Sequence, residues 1–195
     1  HTRVLEVSWA RRCVYETGTS SFGIEFIEWT PYGGSEIYTP GKPLGIDSDG
    51  ESLIVMAVDQ LGVELLSIDS LGADPVLIGR VDTQGNAEKV SLISSGVFVA
   101  CDNAGAAYIP IETFGTENPA NSFGTDFTVD HVAVHNNIAA LSIGSRGLAL
   151  YDISDPEYPI EKGVFPIGYT YMSAFWEGKL LVCSREGLQL IAIAQ

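Results

Sequence analysis

Three carboxylates at alternating positions around a glycine are the first candidates for chemistry in this sequence. The stretch reads Asp-Ser-Asp-Gly-Glu and places acids at Asp47, Asp49 and Glu51. Hard cations such as Ca²⁺ are bound by clusters of oxygen ligands of this kind. Asp and Gly also form tight turns between strands for backbone reasons alone. The favoured interpretation is a turn, and a Ca²⁺ site at these three acids is the alternative.

Cleavage of a polysaccharide is a second chemistry that the acidic residues allow. Glycoside hydrolysis uses two carboxylates about 5–10 Å apart, and the acids in or beside predicted inner strands are Glu6, Asp47 and Asp130. His131 follows Asp130 and could work with it as a general acid/base pair. His135 lies on the same face of the predicted strand, about 13 Å from His131 by strand rise. That separation is too large for one metal, so ordinary strand histidines are favoured.

Composition limits the class of partner. The 195 residues contain 10 Lys+Arg against 25 Asp+Glu, a net charge of −15. Such a chain repels phosphate backbones and anionic lipid, so we predict no nucleic-acid binding. The longest stretches without a charged residue are shorter than the ~20 residues that cross a bilayer, so we predict no membrane insertion. Three widely spaced cysteines indicate neither zinc nor redox chemistry.

The elements that would position these side chains come from an internal repeat. A glycine followed by apolar residues at offsets +1, +3, +4 and +6 recurs five times, with spacings of 39, 43, 42 and 40 residues. Odd and even offsets lie on opposite faces of a strand, so each of these strands is covered on both faces. The repeat glycines are Gly23, Gly62, Gly105, Gly147 and Gly187.

Each repeat glycine opens the third strand of a predicted four-stranded unit. An apolar run precedes the glycine, a shorter strand precedes that run, and a weaker fourth strand follows, as at Val76–Val81. Four short antiparallel strands per unit of about 40 residues, with both faces buried, are typical of a β-propeller. We therefore predict an all-β fold with one propeller domain over 1–195, made of about five four-stranded blades that could belong to a larger ring. The units are 1–44, 45–86, 87–127, 128–168 and 169–195.

Two units depart from the pattern. Pro110 interrupts the third strand of unit three, which predicts a short, displaced or missing fourth strand there. Unit five ends before a fourth strand, so the last blade should lack its outer strand. Cys101 and Cys183 each precede a repeat glycine by four residues, where other units carry aliphatic residues, and both are predicted to be buried.

The stretch Gly147 to Gly163 resembles the LVIVD-repeat β-propeller proteins. Their repeat reads as a glycine, an apolar strand ending in Asp-hydrophobe-Ser, then Asp-Pro, a second Pro and a closing Gly. Unit two repeats part of it at Ser67–Ser70 and at Asp74–Gly79. The resemblance implies a repeat fold often found on secreted or cell-surface proteins, without catalytic residues to carry over.

The function that these observations predict is that of a non-catalytic, acidic binding or structural module in an extracellular or cell-surface assembly. An uncovered strand edge would pair with another chain. The edge residues are Gly187, Leu188, Leu190, Ile191 and Ile193. We expect a protein partner, another subunit or a segment of a longer precursor at this edge, with a glycan as a further partner, and no cofactor apart from the Ca²⁺ alternative. The alternative function is a propeller hydrolase or lyase with carboxylates at the central mouth.

Overall fold

The computed structural model describes residues 23–27, 34–68, 75–116 and 120–193, and these ranges hold seventeen strands. One 3-10 turn, Ile111–Thr113, follows the ninth strand. Within the described ranges, no helix has the length and apolar character needed to cross a membrane. The strands are β1 (Gly23–Ile27), β2 (Gly34–Tyr38), β3 (Gly45–Ser48), β4 (Leu53–Ala57), β5 (Val63–Ser67), β6 (Val76–Val81), β7 (Lys89–Ile93), β8 (Gly96–Ala100), β9 (Ala106–Pro110), β10 (Asn121–Phe123), β11 (His131–His135), β12 (Ile138–Ser142), β13 (Leu148–Asp152), β14 (Ile160–Phe165), β15 (Thr170–Trp176), β16 (Lys179–Ser184) and β17 (Gly187–Ala192).

The strands form consecutive antiparallel sheets in which chain neighbours pair. Three sheets have four strands, β3 to β6, β7 to β10 and β11 to β14, and a sheet of three strands, β15 to β17, follows them. Strands β1 and β2 pair with each other. The prediction of four-stranded units with an incomplete last one is confirmed. The predicted first strand of unit one, with Glu6, lies outside the described residues, and the assignment of the whole chain to one domain stays a prediction.

The sheets stack in chain order. The first strands β3, β7, β11 and β15 pack successively against one another, and apolar side chains fill the space between each sheet and the next. We call the side of a sheet that meets the next sheet its forward face, and the opposite side its backward face. The second and third strands of the three four-stranded sheets therefore bury apolar residues on both sides, as the repeat pattern predicts.

The β7 to β10 sheet has the short outer strand that Pro110 predicts. Strand β10 has three residues, whereas β6 and β14 have six each. Pro110 is the last residue of β9 and lies opposite Gly96 in the neighbouring strand. A proline has no N–H to donate to the ladder, so regular pairing with an outer strand stops before this position.

Candidate functional site

The repeat glycines lie where the fourth strand of each complete sheet ends. A Cβ added to the glycine would come within 3 Å of a backbone carbonyl oxygen in all three four-stranded sheets. The carbonyls are that of Val81 at 2.2 Å from Gly62, that of Gly124 at 2.6 Å from Gly105 and that of Phe165 at 2.2 Å from Gly147. The same glycines have positive φ angles of +77°, +84° and +95°. A glycine is therefore needed at this position for two reasons: the fourth strand leaves no space for a Cβ, and the turn before the third strand gives the backbone a positive φ.

Gly187 shares the positive φ of the other repeat glycines but has no fourth-strand carbonyl beside it. Its φ is +116°, and a Cβ there would meet nothing within 4 Å. Strand β17 pairs with β16 on one side, and no described strand pairs with its other side. Among the described residues, the outward N–H and C=O groups of β17 therefore form an open edge.

The predicted edge residues fall into two groups. Leu188 and Leu190 are 69% and 53% exposed. Ile191 and Ile193 are half-buried and pack toward the β11 to β14 sheet with Leu180. The open part of the site therefore consists of the backbone edge together with the forward face of the last sheet.

Cys183 is exposed, so the prediction that it is buried is wrong, whereas Cys101 is buried as predicted. Burial raises the pKa of the Cys101 thiol to about 12. The turn before Gly187 is one residue shorter than in the other repeats, because Ser184 pairs directly with Gly187. A shift of one residue moves a side chain to the opposite face of a strand. Cys183 therefore lies opposite Leu188 on the forward face.

Asp47 links two neighbouring sheets. It lies in β3, and its carboxylate accepts hydrogen bonds from the backbone N–H of Ser48 at 2.9 Å and of Leu92 in β7 at 2.8 Å. Burial raises the pKa of the Asp47 carboxyl above its usual value, against the lowering effect of these two N–H groups. Asp47 thus has a structural role, and the polysaccharide-cleavage hypothesis gains no support from it.

Asp49 forms the tight turn that the sequence predicts in preference to a Ca²⁺ site. Its Oδ1 accepts the backbone N–H groups of Glu51, Ser52 and Leu53 at 2.8, 2.9 and 2.9 Å. Within the described part of the chain, no group of three or more His, Cys, Asp or Glu side chains is placed to hold a metal ion. The carboxylates of Asp47 and Asp49 therefore bind backbone N–H groups here, and the arrangement with Glu51 does not support the Ca²⁺ alternative.

Asp130 lies at the junction of the next two sheets. Its backbone N–H donates to Ser142 at 2.9 Å, and Asp102 forms a bridge with the preceding Val129. Burial raises the pKa of the Asp130 carboxyl, and the negative charge of Asp102 raises it further. A role of Asp130 in acid/base chemistry stays a prediction.

The two histidines of β11 have different surroundings. His131 is half-buried, and its Nδ1 has no hydrogen-bond partner in the described structure. Burial and the nearby Lys89 ammonium lower the pKa of His131 to about 4, so the ring is neutral at pH 7. His135 is exposed and stacks on Phe175 with ring centroids 5.3 Å apart. Both histidines lie in strand β11, as the sequence predicts.

A groove between the last two sheets is a feature that sequence reasoning missed. It has a volume of about 400 Å³ and is lined by His135, Asn136, Asp152, Phe175 and Ile193, among others. The Asp152 carboxylate is held by Ser154 at 2.7 Å. These residues come from turns and strand ends of two repeats, so no single motif could indicate the groove.

Comparison with known proteins adds information on the fold. No protein-family model matches the chain, and no curated protein matches it. Solved structures do match. The computationally designed Ika4 protein has a TM-score of 0.62 at 10% identity, over 80% of this chain and 94% of that one. The Cps50 (Swd1) β-propeller domain of Myceliophteria thermophila has a TM-score of 0.67 at 10% identity, over 88% of this chain and 63% of that one. The described sheets form part of a β-propeller.

A further similar propeller belongs to an assembly. A chain of the COPII outer coat vertex, solved on membranes, has a TM-score of 0.65 at 12% identity, over 87% of this chain and 52% of that one. Identities of this size show the fold alone. The chain thus spans 52% and 63% of the two natural propeller chains, and its last blade, β15 to β17, has an open edge and an uncovered face.

Proposed function

We propose that this partial β-propeller is a binding or structural module whose last blade is completed by a β-strand from a partner. The observation that carries the proposal is the outward side of β17, which no described strand pairs with, together with the open space beside Gly187. In three blades the repeat glycine makes room for a carbonyl at the end of the fourth strand, and in the last blade the glycine is kept while the space beside it is open. A strand that pairs with β17 would bring a carbonyl to that space and satisfy the open edge.

Two further observations support a module without its own catalytic centre. Propellers often act as scaffolds for protein binding, and one similar chain is part of the COPII outer coat vertex. The resemblance to LVIVD-repeat proteins, carried by Gly147 to Gly163, supports a place in a secreted or cell-surface assembly. Both the family and the location are part of this proposal.

The proposal is tested by adding a fourth strand to the last blade, using a copy of the fourth strand of the preceding blade. Ile193 stands six residues after Gly187, as Ile153 stands six after Gly147. A copy of residues 154–166, which contain β14, is therefore attached directly after Ile193. The added strand should raise the melting temperature by at least about 3 °C and slow hydrogen exchange of the β17 amides.

Two glycine variants make the test specific. Gly187→Ala places a Cβ where the fourth-strand carbonyl would pass, so it should cancel most of the gain in melting temperature. Gly178→Ala is the matched control, because Gly178 also has a positive φ, +73°, and open space around its Cβ position. This control should keep the gain. An extended chain with unchanged melting temperature and unprotected β17 amides would contradict the proposed function.

A further inference from the structure

Three buried polar atoms without a hydrogen-bond partner lie at the junction of the last two blades, β11 to β14 and β15 to β17. They are His131 Nδ1, Ser142 Oγ and Ser173 Oγ, and the described part of the chain holds no other such side-chain atom. Ser142 and Ser173 are 0% and 4% exposed. Because a buried polar group without a partner costs free energy, each of these atoms calls for a partner.

The strand register places the first two of these atoms side by side. His131 in β11 lies directly opposite Ser142 in β12, and opposed residues have Cβ atoms about 4.5–5.5 Å apart. Ser142 in turn lies opposite Leu148, which packs in the apolar cluster between the two blades. His131 and Ser142 are therefore on the forward face of their blade, toward the last blade.

Ser173 comes from the other side of the junction. It lies in β15, which packs against both β11 and β12. Its register partner Val182 belongs to the same apolar cluster as Leu148. Ser173 is thus on the backward face of the last blade, and the three polar side chains lie on the two faces that meet at this junction.

The preceding blades carry apolar residues at the positions of the two serines. The position of Ser142 is five residues before the repeat glycine, and that of Ser173 is fixed by the pairing of the first two strands. The corresponding residues are Ala57 and Ala100 for Ser142, and Ile46, Val90 and Val132 for Ser173. Apolar packing holds those junctions at these positions, so the two hydroxyls are specific to the last junction.

Other polar side chains of this junction have partners within the chain. The Thr170 hydroxyl donates to the Gly147 carbonyl. The Gln189 amide Nε2 donates to the Ile167 carbonyl and to Ser184 Oγ, at 2.9 Å in each case. The three unpartnered atoms are therefore a local feature, and not the sign of a junction whose polar groups are generally unpaired.

The chemistry of the three atoms selects a small uncharged ligand. Burial and the nearby Lys89 ammonium lower the pKa of His131 to about 4, so the ring is neutral at pH 7 and offers no charge to an anion. In the described part of the chain, no cluster of His, Cys, Asp or Glu side chains is placed to hold a metal ion. Hydroxyls and a neutral imidazole pair with a molecule that both donates and accepts. Water does both, and buried waters typically make about three hydrogen bonds.

We propose that one water molecule is bound at the junction of the last two blades by His131 Nδ1, Ser142 Oγ and Ser173 Oγ, and that it links β11 and β12 to β15. This inference goes beyond the proposed function and does not depend on it. The three atoms lie between the last blade and the preceding one, whereas the partner strand would pair with the outward side of β17.

The first test is a crystal structure of the unmodified chain at a resolution that shows ordered water. We expect one water oxygen at about 2.7–3.2 Å from each of the three atoms. A direct hydrogen bond between two of the three side chains, an ion at this place, or a junction without ordered water would each overturn the proposal.

The second test counts long-lived internal waters in solution by oxygen-17 magnetic relaxation dispersion. The double variant Ser142→Ala/Ser173→Val introduces the residues that preceding blades carry, and it should lose one long-lived water relative to the wild type. Ser184→Ala is the matched control, because Ser184 is a buried serine of the same junction whose Oγ already donates to the Gly187 carbonyl at 3.0 Å. This control should keep the wild-type count.

Circular dichroism checks that both variants fold, and the crystal structure tests the proposal without any variant. Equal counts in the wild type and the double variant, or an equal loss in the Ser184→Ala control, would overturn the assignment of the water to these three atoms. Neither result bears on the open edge of β17, which the attached-strand experiment tests separately.

Discussion

The Asp47 carboxylate accepts a hydrogen bond of 2.8 Å from the backbone N–H of Leu92, and this bond joins the first strands of two neighbouring blades. Leu92 lies in β7, where its N–H faces away from β8 and toward the preceding blade. Lys89 makes a second link in the same direction, because its ammonium donates to the Leu44 carbonyl. Polar bonds at the inner strands thus supplement the apolar contacts that hold the blades in order.

Asp47→Ala should lower the free energy of unfolding by about 1–3 kcal/mol, because it leaves the Leu92 N–H without an acceptor. Glu51→Ala is the control, since Glu51 is exposed in the adjacent turn, and it should change stability by less than about 0.5 kcal/mol. Urea denaturation of both variants measures the difference. Equal stability of the two variants would show that the Asp47 bond does not hold the blades together.

The two described ion pairs should differ in their contribution to stability. Glu64 is buried, at 2% exposure, and accepts from Arg80 Nε at 3.0 Å. Arg80→Ala should therefore cost roughly 3 kcal/mol, since it leaves an unpaired buried carboxylate. Lys162→Ala removes an exposed pair with Asp152 at 3.5 Å and should cost less than about 1 kcal/mol. Chemical denaturation of the two variants compares them, and a larger loss for Lys162→Ala would contradict the role assigned to burial.

Gly147→Ala should destabilise the chain more than Gly187→Ala by at least about 2 kcal/mol, although both glycines have positive φ. A Cβ at Gly147 would lie 2.2 Å from the Phe165 carbonyl, and a Cβ at Gly187 meets nothing within 4 Å. Similar losses for the two variants would mean that backbone strain, and not the fourth strand, explains the repeat glycine.

His131 should make stability depend on pH. Its pKa of about 4 in the folded chain lies below the usual 6.5, so the unfolded chain binds more protons between these values. The wild type should therefore lose stability relative to His131→Leu as pH falls from 6.5 to 4, by roughly 2–3 kcal/mol at pH 4. The pKa values of Asp47, Glu88 and Asp130 are raised by burial and act in the opposite sense, but they are present in both proteins and cancel. Thermal unfolding at several pH values gives the difference, and a difference that does not change with pH would contradict the neutral state of His131.

The fold could be predicted because apolar residues recur at the same offsets from each repeat glycine. Predicted strands at Val76–Val81, Lys89–Ile93 and Ile160–Phe165 match β6, β7 and β14 residue for residue. Short apolar runs bounded by turn residues are a local signal, and they recur after each repeat glycine.

The site was less accessible to sequence reasoning because it depends on contacts between units. The partner of Asp47 is a backbone N–H 45 residues away, which no spacing indicates. The prediction that Cys183 is buried is wrong because the turn before Gly187 is shorter by one residue and turns this side chain to the other face. The sequence also does not show that a carbonyl of the fourth strand lies beside the repeat glycine and leaves no space for a Cβ.

Hydrogen exchange of the β17 amides, with and without an attached fourth strand, tests the central claim most directly. In a dilute chain, the outward amides of Gly187–Ala192 should exchange fast while those of the buried strands β8 and β12 stay protected. Protection of β17 should then appear when a copy of residues 154–166 is attached after Ile193. Full protection of β17 in a 20.9 kDa monomer would show that the chain covers its own edge, and would contradict the account of a blade completed from outside.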